Sequence, residues 1–315
     1  MRSLSPFARF AWGVLAYNVA VVLWGAFVRA TGSGAGCGRH WPMCNGEVAP
    51  QLASTHTLIE FTHRATSGIA LLLVVAMLVW ARRAFPRGHL ARRGAVLSTV
   101  FIVLEALLGA GLVLFELVAD DKSAARAFSM SAHLVNTFLL LGSLTLTGWW
   151  ASGGGPVRLR RQGALGAALL TAVGATILVG ATGAVTALGD TLFPKSTMGF
   201  ELSSTAHFLE RLRIVHPVLA ILTSVYITAV GWMVRRARPT PTTHRLATAL
   251  TTLFAVQVAA GAINIVLRVP VWMQLTHLFL ADCVWIALVL TAASALADEP
   301  VEAHEPAPAR VPAPI

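Results

Sequence analysis

The most regular feature of the chain is a series of long apolar stretches separated by short polar segments. Each stretch holds roughly 20 residues, enough for an α-helix to cross a hydrocarbon core of about 30 Å. The pattern predicts eight membrane-spanning helices, over residues 11–30, 58–81, 94–117, 128–150, 163–186, 209–234, 246–267 and 272–296. We expect the first to be retained, because no small-residue cleavage site marks it as a signal peptide.

Composition supports the same class of protein. Hydrophobic residues make up 56% of the chain and charged residues only 12%, whereas soluble domains carry about 25% charged residues. The mean hydropathy is +0.70. A water-soluble globular domain is therefore excluded, and a multi-pass protein of the inner cell membrane, surrounded by lipid, is predicted.

The formal net charge of +10 raises the question of a nucleic-acid partner. The basic residues, however, lie in alternate loops: Arg2 and Arg9, then Arg82, Arg83, Arg87, Arg92 and Arg93, then Arg158, Arg160 and Arg161, then Arg235, Arg236, Arg238 and Arg245. By the positive-inside rule this alternation places both termini in the cytoplasm. The basic charge is thus a topology signal, and no nucleic-acid partner is expected.

The chain divides into two similar halves at a Gly-Gly-Gly-Pro stretch. We predict an N-terminal half over residues 1–152, a cytoplasmic linker over 153–157 and a C-terminal half over 158–297. Four spans per half is an even number, so both halves enter the membrane from the same side. The fold class is therefore all-α integral membrane, with eight helices arranged as two four-helix bundles in parallel relation. Residues 298–315 are rich in Pro and Ala, and we expect a disordered tail.

Four pairs of segments carry the internal repeat. Three of them are Thr31-Gly with Thr182-Gly near the ends of spans one and five, Glu105-Ala-Leu-Leu-Gly with Gln257-Val-Ala-Ala-Gly in spans three and seven, and Ser131-Ala-His-Leu with Leu275-Thr-His-Leu in spans four and eight. A fourth pair lies in spans two and six, where Ser54-Thr55 precedes His63 and Ser204-Thr205 precedes His216. The repeat assigns an equivalent position in the second half to each candidate residue of the first.

Four histidines lie inside the spans, namely His63, His133, His216 and His277. Each is five to seven residues from the outer end of its span, so all four lie roughly 7–11 Å deep at one membrane level. A single intramembrane histidine can be a hydrogen-bonded contact between helices. Four of them at one depth and at repeated positions favour a functional site.

Two histidines facing each other in a four-helix bundle can supply both axial ligands of a haem iron. One haem per half is the resulting prediction. Zinc or copper would recruit a third or fourth protein ligand, so a metal-transport site is the weaker alternative. Haem propionates need cationic partners near the outer surface, and the candidates are Arg29, Arg64, Arg211 and Arg213. Arg213 is equally well explained by snorkelling to the outer interface.

The two halves differ at the position three residues before the histidine of span two and of span six. Glu60 precedes His63 by three residues and shares its helix face, as does His56, while the equivalent residue before His216 is Arg213. A carboxylate beside only one haem suggests that the halves do different work, and it can accept a proton during oxidation of a bound substrate. The simpler alternative is a Glu stabilised by the helix dipole.

Two of the three cysteines share the first outer loop. Cys37 and Cys44 can form a disulfide in an oxidising compartment, remain free thiols, or bind zinc with His40. Cys283 lies among apolar residues of span eight and is expected to be a packing residue.

These residues resemble the haem A synthase family over most of the chain. The resemblance rests on Val28-Arg-Ala-Thr-Gly-Ser-Gly, the loop from Cys37 through Trp41-Pro-Met-Cys44-Asn-Gly, Ile59-Glu-Phe-Thr-His-Arg64, the other three span histidines and the duplicated eight-span plan. It implies oxidation of the C8 methyl group of haem O to a formyl group, through two successive hydroxylations, to give haem A for cytochrome oxidase.

The resemblance also implies roles for individual residues. His63 and His133 correspond to the pair that holds the substrate haem O and product haem A, and His216 and His277 to the pair that holds a haem b cofactor. Glu60 corresponds to the essential carboxylate of the family, and Cys37 with Cys44 to its outer-loop pair. The chain departs from the family at His216-Pro217, where the first half has a His-Arg pair, and at Arg213.

The implied partners are haem O synthase, cytochrome oxidase assembly factors, an electron partner of unknown identity and a second copy of the chain. Two other functions compete: a dihaem electron-transfer protein or quinol oxidoreductase, and a haem carrier or transporter. A farnesyltransferase that makes haem O fits less well, because that chemistry uses aspartate-rich sites and the spans have almost no aspartate.

Overall fold

The computed structural model describes residues 4–51, 54–193 and 203–297. Over these ranges it contains eight helices long and apolar enough to cross a membrane: α1 Pro6–Ala30, α2 Thr55–Ala84, α3 Leu90–Leu114, α4 Ala124–Ala151, α5 Gly163–Leu192, α6 Phe208–Ala237, α7 Pro241–Val266 and α8 Val271–Ala297. The prediction of an all-helical, multi-pass membrane protein is confirmed. The predicted tail, 298–315, and part of the second long outer loop lie outside the described residues.

Several helices extend beyond the apolar stretches that predicted them. α2 begins at Thr55 because the side chain of Ser54 accepts a hydrogen bond from the backbone N–H of Thr57. Ser123 and Thr240 cap α4 and α7 in the same way. Hydropathy reports only the lipid-facing length of a helix, whereas the capping side chain determines where it begins.

The sixth span is not uniform along its length. It opens with one α-helical turn, Phe208–Arg211, passes through a 3-10 turn, Leu212–Ile214, and continues as an α-helix over Val215–Ala237. His216 is the second residue of that last segment. The change in helix type therefore lies directly outside the histidine that this span contributes.

The helices pack as two adjoining rings of four. In the first ring α1 contacts α2, α2 contacts α3, α3 contacts α4, and α4 returns to α1. In the second ring α5, α6, α7 and α8 contact one another in the same order. The rings meet through α1 and α4 on one side and α5 and α8 on the other. Two histidine-bearing helices, α4 and α8, thus lie at the centre and two, α2 and α6, at the periphery.

A stacked aromatic pair joins the two four-helix rings in the core. The rings of Phe138 on α4 and Trp285 on α8 stack with centroids 5.0 Å apart, and the indole N–H of Trp285 donates to the carbonyl oxygen of Phe138 at 2.6 Å. A Cβ atom on Gly180 of α5 would come within 2.6 Å of the Phe138 ring. Because Gly180 has no side chain, the phenyl ring of Phe138 fits between α5 and α8.

The first outer loop lies directly on the start of α2. A Cβ atom on Gly36 would lie 2.5 Å from the backbone carbonyl of His56, and the hydroxyl of Thr57 donates to the carbonyl oxygen of Gly36 at 2.9 Å. Only glycine permits this close approach of two backbones. The loop therefore packs against the first turn of α2.

Candidate functional site

The four intramembrane histidines lie in two pairs. His63 on α2 and His133 on α4 are close enough to interact electrostatically. His216 on α6 and His277 on α8 have ring centroids 6.3 Å apart and perpendicular planes. Each ring of four helices thus brings together one histidine from its second helix and one from its fourth.

Each imidazole rests against a glycine of the helix that precedes its own. The four contacts are Gly25 with His63, Gly109 with His133, Gly183 with His216 and Gly261 with His277. A Cβ atom would lie 2.9–3.0 Å from the imidazole Cε1 atom at three of these glycines, and 3.9 Å from it at Gly109. Three of the four positions therefore have no room for a side chain while the imidazole keeps its place.

These contacts correct one part of the predicted repeat. The sequence paired Thr31-Gly32 with Thr182-Gly183, but the glycine that occupies the position of Gly183 in the first half is Gly25. The pairing was wrong because α5 continues to Leu192, well past the apolar stretch, so Thr182-Gly183 lies inside the helix. Thr31-Gly32 instead follows the last residue of α1.

The Nδ1 atoms of the four histidines differ in their protein partners. Nδ1 of His216 lies 3.1 Å from the carbonyl oxygen of Val179, whereas Nδ1 of His63, His133 and His277 is buried without a hydrogen-bond partner among the described residues. Two imidazoles brought together within each ring of four helices would be able to hold a haem, with one histidine contributed by each of two helices.

A bare metal ion fits these residues less well. Within the described ranges, no three His, Cys, Asp or Glu side chains converge in a way that could hold one. Zinc and copper sites ordinarily use three or four protein ligands. Two histidines per ring, without a third ligand of these types, correspond to the ligand number of a haem.

Glu60 is buried and held from two sides. Its residue is 3% exposed, and its Oε2 atom accepts a hydrogen bond from the backbone N–H of Cys37 at 2.8 Å. Its Oε1 atom accepts from Nε and Nη2 of Arg64, at 3.2 and 2.5 Å. The carboxylate therefore connects α2 to the outer loop by charge-assisted hydrogen bonds.

Arg64 extends the same connection. Its Nη1 atom donates to the carbonyl oxygens of His40 and, at 2.6 Å, Met43 in the outer loop. Arg64 was predicted as a partner of a haem propionate, but in this structure its guanidinium group joins Glu60 to the loop backbone. The side chains of Arg64 and Glu60 are 12% and 4% exposed, so the pair is shielded from solvent.

Cys37 and Cys44 form a disulfide bond. The other two possibilities, free thiols and a zinc site with His40, are therefore wrong for this loop. Next to it, the hydroxyl groups of Thr31 and Ser33 are 2.8 Å apart, and Ser33 Oγ lies 3.0 Å from Nδ1 of His56. His56, which the sequence placed on the face of His63, thus bonds to the loop. Cys283 is a free cysteine, partly buried in α8.

The other arginines predicted to bind propionates also have protein partners. Arg29 donates from Nη1 to the carbonyl oxygen of Ala187 at 2.7 Å and to the hydroxyl of Thr191 at 2.5 Å, and from Nη2 to Oε1 of Gln274 at 2.9 Å. It therefore ties α1 of the first ring to α5 and α8 of the second. Arg211 is the last residue of the first turn of α6, Phe208–Arg211, and it donates to the carbonyl oxygen of Ser204 at 2.7 Å.

Arg213 takes the architectural place of Glu60 in the second half. It donates from Nη2 to the carbonyl oxygens of Gly189 and Phe193, at 2.6 and 3.0 Å, and its Nε lies 3.0 Å from a carboxylate oxygen of Asp190. Glu60 thus anchors the loop that follows α1, and Arg213 anchors the last turn and the C-cap of α5. The charge of the anchor is opposite in the two halves.

Glu105 was predicted as part of the internal repeat but not as a residue of the site. The structure places its Oε1 atom 3.5 Å from Nδ1 of His133. The amide of Asn136 and the hydroxyl of Thr137 donate to its two oxygens, each at 2.5 Å. A carboxylate in the middle of an apolar span, opposite Gln257 in the repeat, was the signal that could have identified it.

Comparison with known proteins agrees with this architecture. Residues 8–289 match the COX15-CtaA family, described as "Cytochrome oxidase assembly protein". A relative from Exiguobacterium sibiricum named "Heme A synthase" is 30% identical over 288 residues, which is 90% of this chain and 92% of that protein. One from Geobacillus kaustophilus with the same name is 40% identical over 121 residues, 38% of each chain.

A higher identity occurs with a protein of a different name. A relative in Thermus thermophilus, named "Protoheme IX farnesyltransferase", is 54% identical over 296 residues, 93% of this chain but 49% of that protein. The chain thus spans about half the length of that relative. The match over residues 8–289, together with the near full-length similarity to the protein of E. sibiricum, shows that the chain belongs to the COX15-CtaA family of cytochrome oxidase assembly proteins.

Proposed function

We propose that this protein is a haem A synthase, which oxidises the C8 methyl group of haem O to a formyl group for cytochrome oxidase. Two hydroxylations give a geminal diol, which loses water. Overall, the methyl group and one water become the formyl group, four protons and four electrons, and the electrons pass to an external electron acceptor. The observation that carries the proposal is the inequality of two otherwise similar histidine pairs: three residues before the histidine, the first half has the buried carboxylate Glu60 and the second half has the cation Arg213.

The two halves have different haem partners. The half with His63 and His133 binds haem O as substrate, and the half with His216 and His277 binds haem b as a cofactor that supplies one-electron redox chemistry. The glycine that meets each imidazole, at repeated positions of the helices, supports a haem site in both halves. The carboxylate in the first half supports its assignment to the substrate.

Glu60 serves as a proton acceptor in the reaction. Oxidation of a methyl group to a formyl group releases protons, and a buried carboxylate near the substrate can accept one. Its two anchors, the N–H of Cys37 and the guanidinium of Arg64, restrict its position. The outer-loop disulfide therefore contributes to the reaction by holding this carboxylate in place.

The names of the relatives support this activity from two directions. The protein of E. sibiricum, matched over nearly its whole length, is named "Heme A synthase". We infer that the name of the T. thermophilus relative describes the half that this chain does not match. A farnesyltransferase joined to a haem A synthase would make the haem O that the second activity consumes. This arrangement supports haem O synthase as a partner, beside oxidase assembly factors.

The proposed topology places both termini in the cytoplasm and the disulfide loop outside. In support, Arg82 and Arg83 end α2, and Arg235 and Arg236 lie at the equivalent end of α6. The halves, 1–152 and 158–297, are then two four-helix bundles in parallel relation, joined by the linker 153–157. The contacts of α1 to α4 and of α5 to α8 as closed rings support this division.

The test is haem analysis in cells that make haem O but lack their own haem A synthase. We expect haem A only when this protein is expressed. The variants Glu60→Ala and Glu60→Gln should keep the haem b spectrum and lose haem A formation. Glu116→Gln is the matched control, because Glu116 is an exposed carboxylate paired with Arg39 at the end of α3.

Each alternative outcome has a distinct meaning. Haem O that persists unchanged beside a normally loaded protein would favour the electron-transfer or carrier function and reject the synthase. Normal haem A yield from Glu60→Gln, with loss in Glu60→Ala, would reject proton transfer and leave Glu60 as an anchor of the loop. Normal yield from both variants would remove Glu60 from the mechanism.

A further inference from the structure

The ring nitrogen environments of His133 and His277 differ, although the two residues are equivalent in the repeat. Glu105 and Gln257 occupy the same position, four residues before the glycine that meets each imidazole. Glu105 approaches Nδ1 of His133 to 3.5 Å. The side-chain amide of Gln257 instead lies 3.3 Å from Nε2 of His277.

The first half contains dedicated partners for a carboxylate at this position. Asn136 donates its amide to Oε2 of Glu105, and Thr137 donates its hydroxyl to Oε1, each at 2.5 Å. Asn136 and Thr137 follow His133 by three and four residues, so they lie one turn along the same face of α4. Both donors direct Glu105 towards the imidazole one turn away.

The second half lacks these partners. The residues three and four positions after His277 are Leu280 and Ala281, whose side chains cannot donate hydrogen bonds. The side-chain oxygen of Gln257 is buried without a hydrogen-bond partner among the described residues. The carboxylate and its donors therefore form a set that occurs in one half, and helix packing alone does not require it.

We propose that Glu105 is a positioning residue for the haem of the first half, acting through His133. Its carboxylate lies 3.5 Å from Nδ1 of His133 and would take a hydrogen bond from that nitrogen when Nε2 ligates the iron. A carboxylate behind a ligating imidazole fixes the tautomer and ring orientation and makes the ligand a stronger donor. Stronger donation stabilises the oxidised iron, so the protein sets different redox potentials for its two haems.

This inference rests on the proposed function only in that the first half binds a haem through His133. The test uses the full-length protein, purified with its haems, and the variant Glu105→Gln, which keeps the shape of the side chain. We expect an upward shift in the midpoint potential of one of the two haems and a changed low-spin electron paramagnetic resonance signal for it. Loss of the hydrogen-bond partner of a ligating histidine lowers the affinity of a metal site by about 10–100-fold. We therefore expect Glu105→Gln also to retain less haem than the wild-type protein.

Three further variants make the test specific. Thr137→Val removes one donor to Glu105 and should shift the same haem in the same direction by a smaller amount. Gln257→Glu should change the signal of the other haem instead. Glu116→Gln, the same chemical change at the exposed end of α3, should leave both potentials at their wild-type values.

The result that overturns the proposal is an unchanged potential and resonance signal for both haems in Glu105→Gln. A shift confined to the haem of the second half would overturn it equally. Failure of the proposed function is separate: a wild-type protein that binds two haems and makes no haem A, while Glu105→Gln still shifts one potential, rejects the synthase and supports the role of Glu105.

Discussion

The backbone N–H of Cys37 donates a hydrogen bond of 2.8 Å to Oε2 of Glu60. One residue belongs to the outer-loop disulfide and the other to the membrane-spanning helix that carries His63. The covalent state of the loop and the position of the carboxylate are therefore linked by one direct contact. This link gives the disulfide a local effect at the site that is separate from its effect on global stability.

The first prediction concerns the disulfide. The double variant Cys37→Ser/Cys44→Ser should lower the free energy of unfolding by about 2–3 kcal/mol, as expected for a short cross-linked loop. Because the loop then releases one anchor of Glu60, haem A formation should fall while haem b remains bound. Haem extraction and the optical spectrum of the purified protein measure the two effects.

Cys283→Ser is the control for that experiment, since Cys283 is a free cysteine in α8. It should keep full haem A yield. A wild-type yield from the double cysteine variant would show that Glu60 keeps its place without the covalent loop.

The second prediction concerns Arg64. Arg64→Ala leaves the buried carboxylate of Glu60 without its cation and should cost about 3–5 kcal/mol, with loss of haem A formation. Arg64→Lys should restore only part of the activity, because an ammonium group cannot replace a guanidinium that reaches the carboxylate and two backbone carbonyls together. Thermal unfolding in detergent and haem analysis give both readings.

Breaking an exposed ion pair of the same loop provides the comparison. The side chains of Arg39 and Glu116 are 67% and 59% exposed, so Arg39→Ala should cost less than about 1 kcal/mol and leave haem A formation intact. Equal stability losses in Arg64→Ala and Arg39→Ala would mean that burial of the Glu60 pair has no energetic effect.

The third prediction concerns the glycines at the imidazoles. Gly25→Ala and Gly183→Ala place a methyl group 2.9 and 3.0 Å from the Cε1 atoms of His63 and His216. Such overpacking costs about 1–3 kcal/mol and must displace the ring. We expect each variant to lose haem from its own half, seen as a lower ratio of haem to protein.

Matched controls lie on the same helices. A methyl group on Gly13 of α1 or Gly174 of α5 would meet no neighbouring atom within 4 Å, so alanine there should keep both haems. Gly109→Ala should have a smaller effect than Gly25→Ala, because its contact with His133 is an ordinary 3.9 Å. Full haem content in Gly25→Ala and Gly183→Ala would contradict the close fit of these rings.

The fourth prediction concerns Arg29, whose donors reach Ala187, Thr191 and Gln274 in the other half. Arg29→Met should lower stability by about 1–3 kcal/mol, because buried acceptors lose their partner. If Arg29 serves to join the halves, Gln274→Ala should lower the melting temperature too, and the double variant should cost less than the sum of both. Additive losses would instead indicate that Arg29 acts elsewhere, as at a propionate.

The sequence by itself determined the eight spans and the positions of the four histidines along them, because both follow from the length of an apolar helix in a bilayer. The repeat was sufficient to pair those histidines, since equivalent helices in each half carry them. Glu60 was identifiable as the residue that makes the halves unequal. These features depend on residue spacing along single helices.

Tertiary structure decided which groups the charged side chains contact. The anchoring of Glu60 by Cys37, the use of Arg29 between the halves and the approach of Glu105 to His133 all join residues of different helices or loops. Long charged side chains have many rotamers, and the partner that each finally takes depends on how neighbouring helices pack. The equivalence of Gly25 and Gly183 was hidden for the same reason, since it follows from contact with an imidazole on another helix and not from a shared Thr-Gly motif.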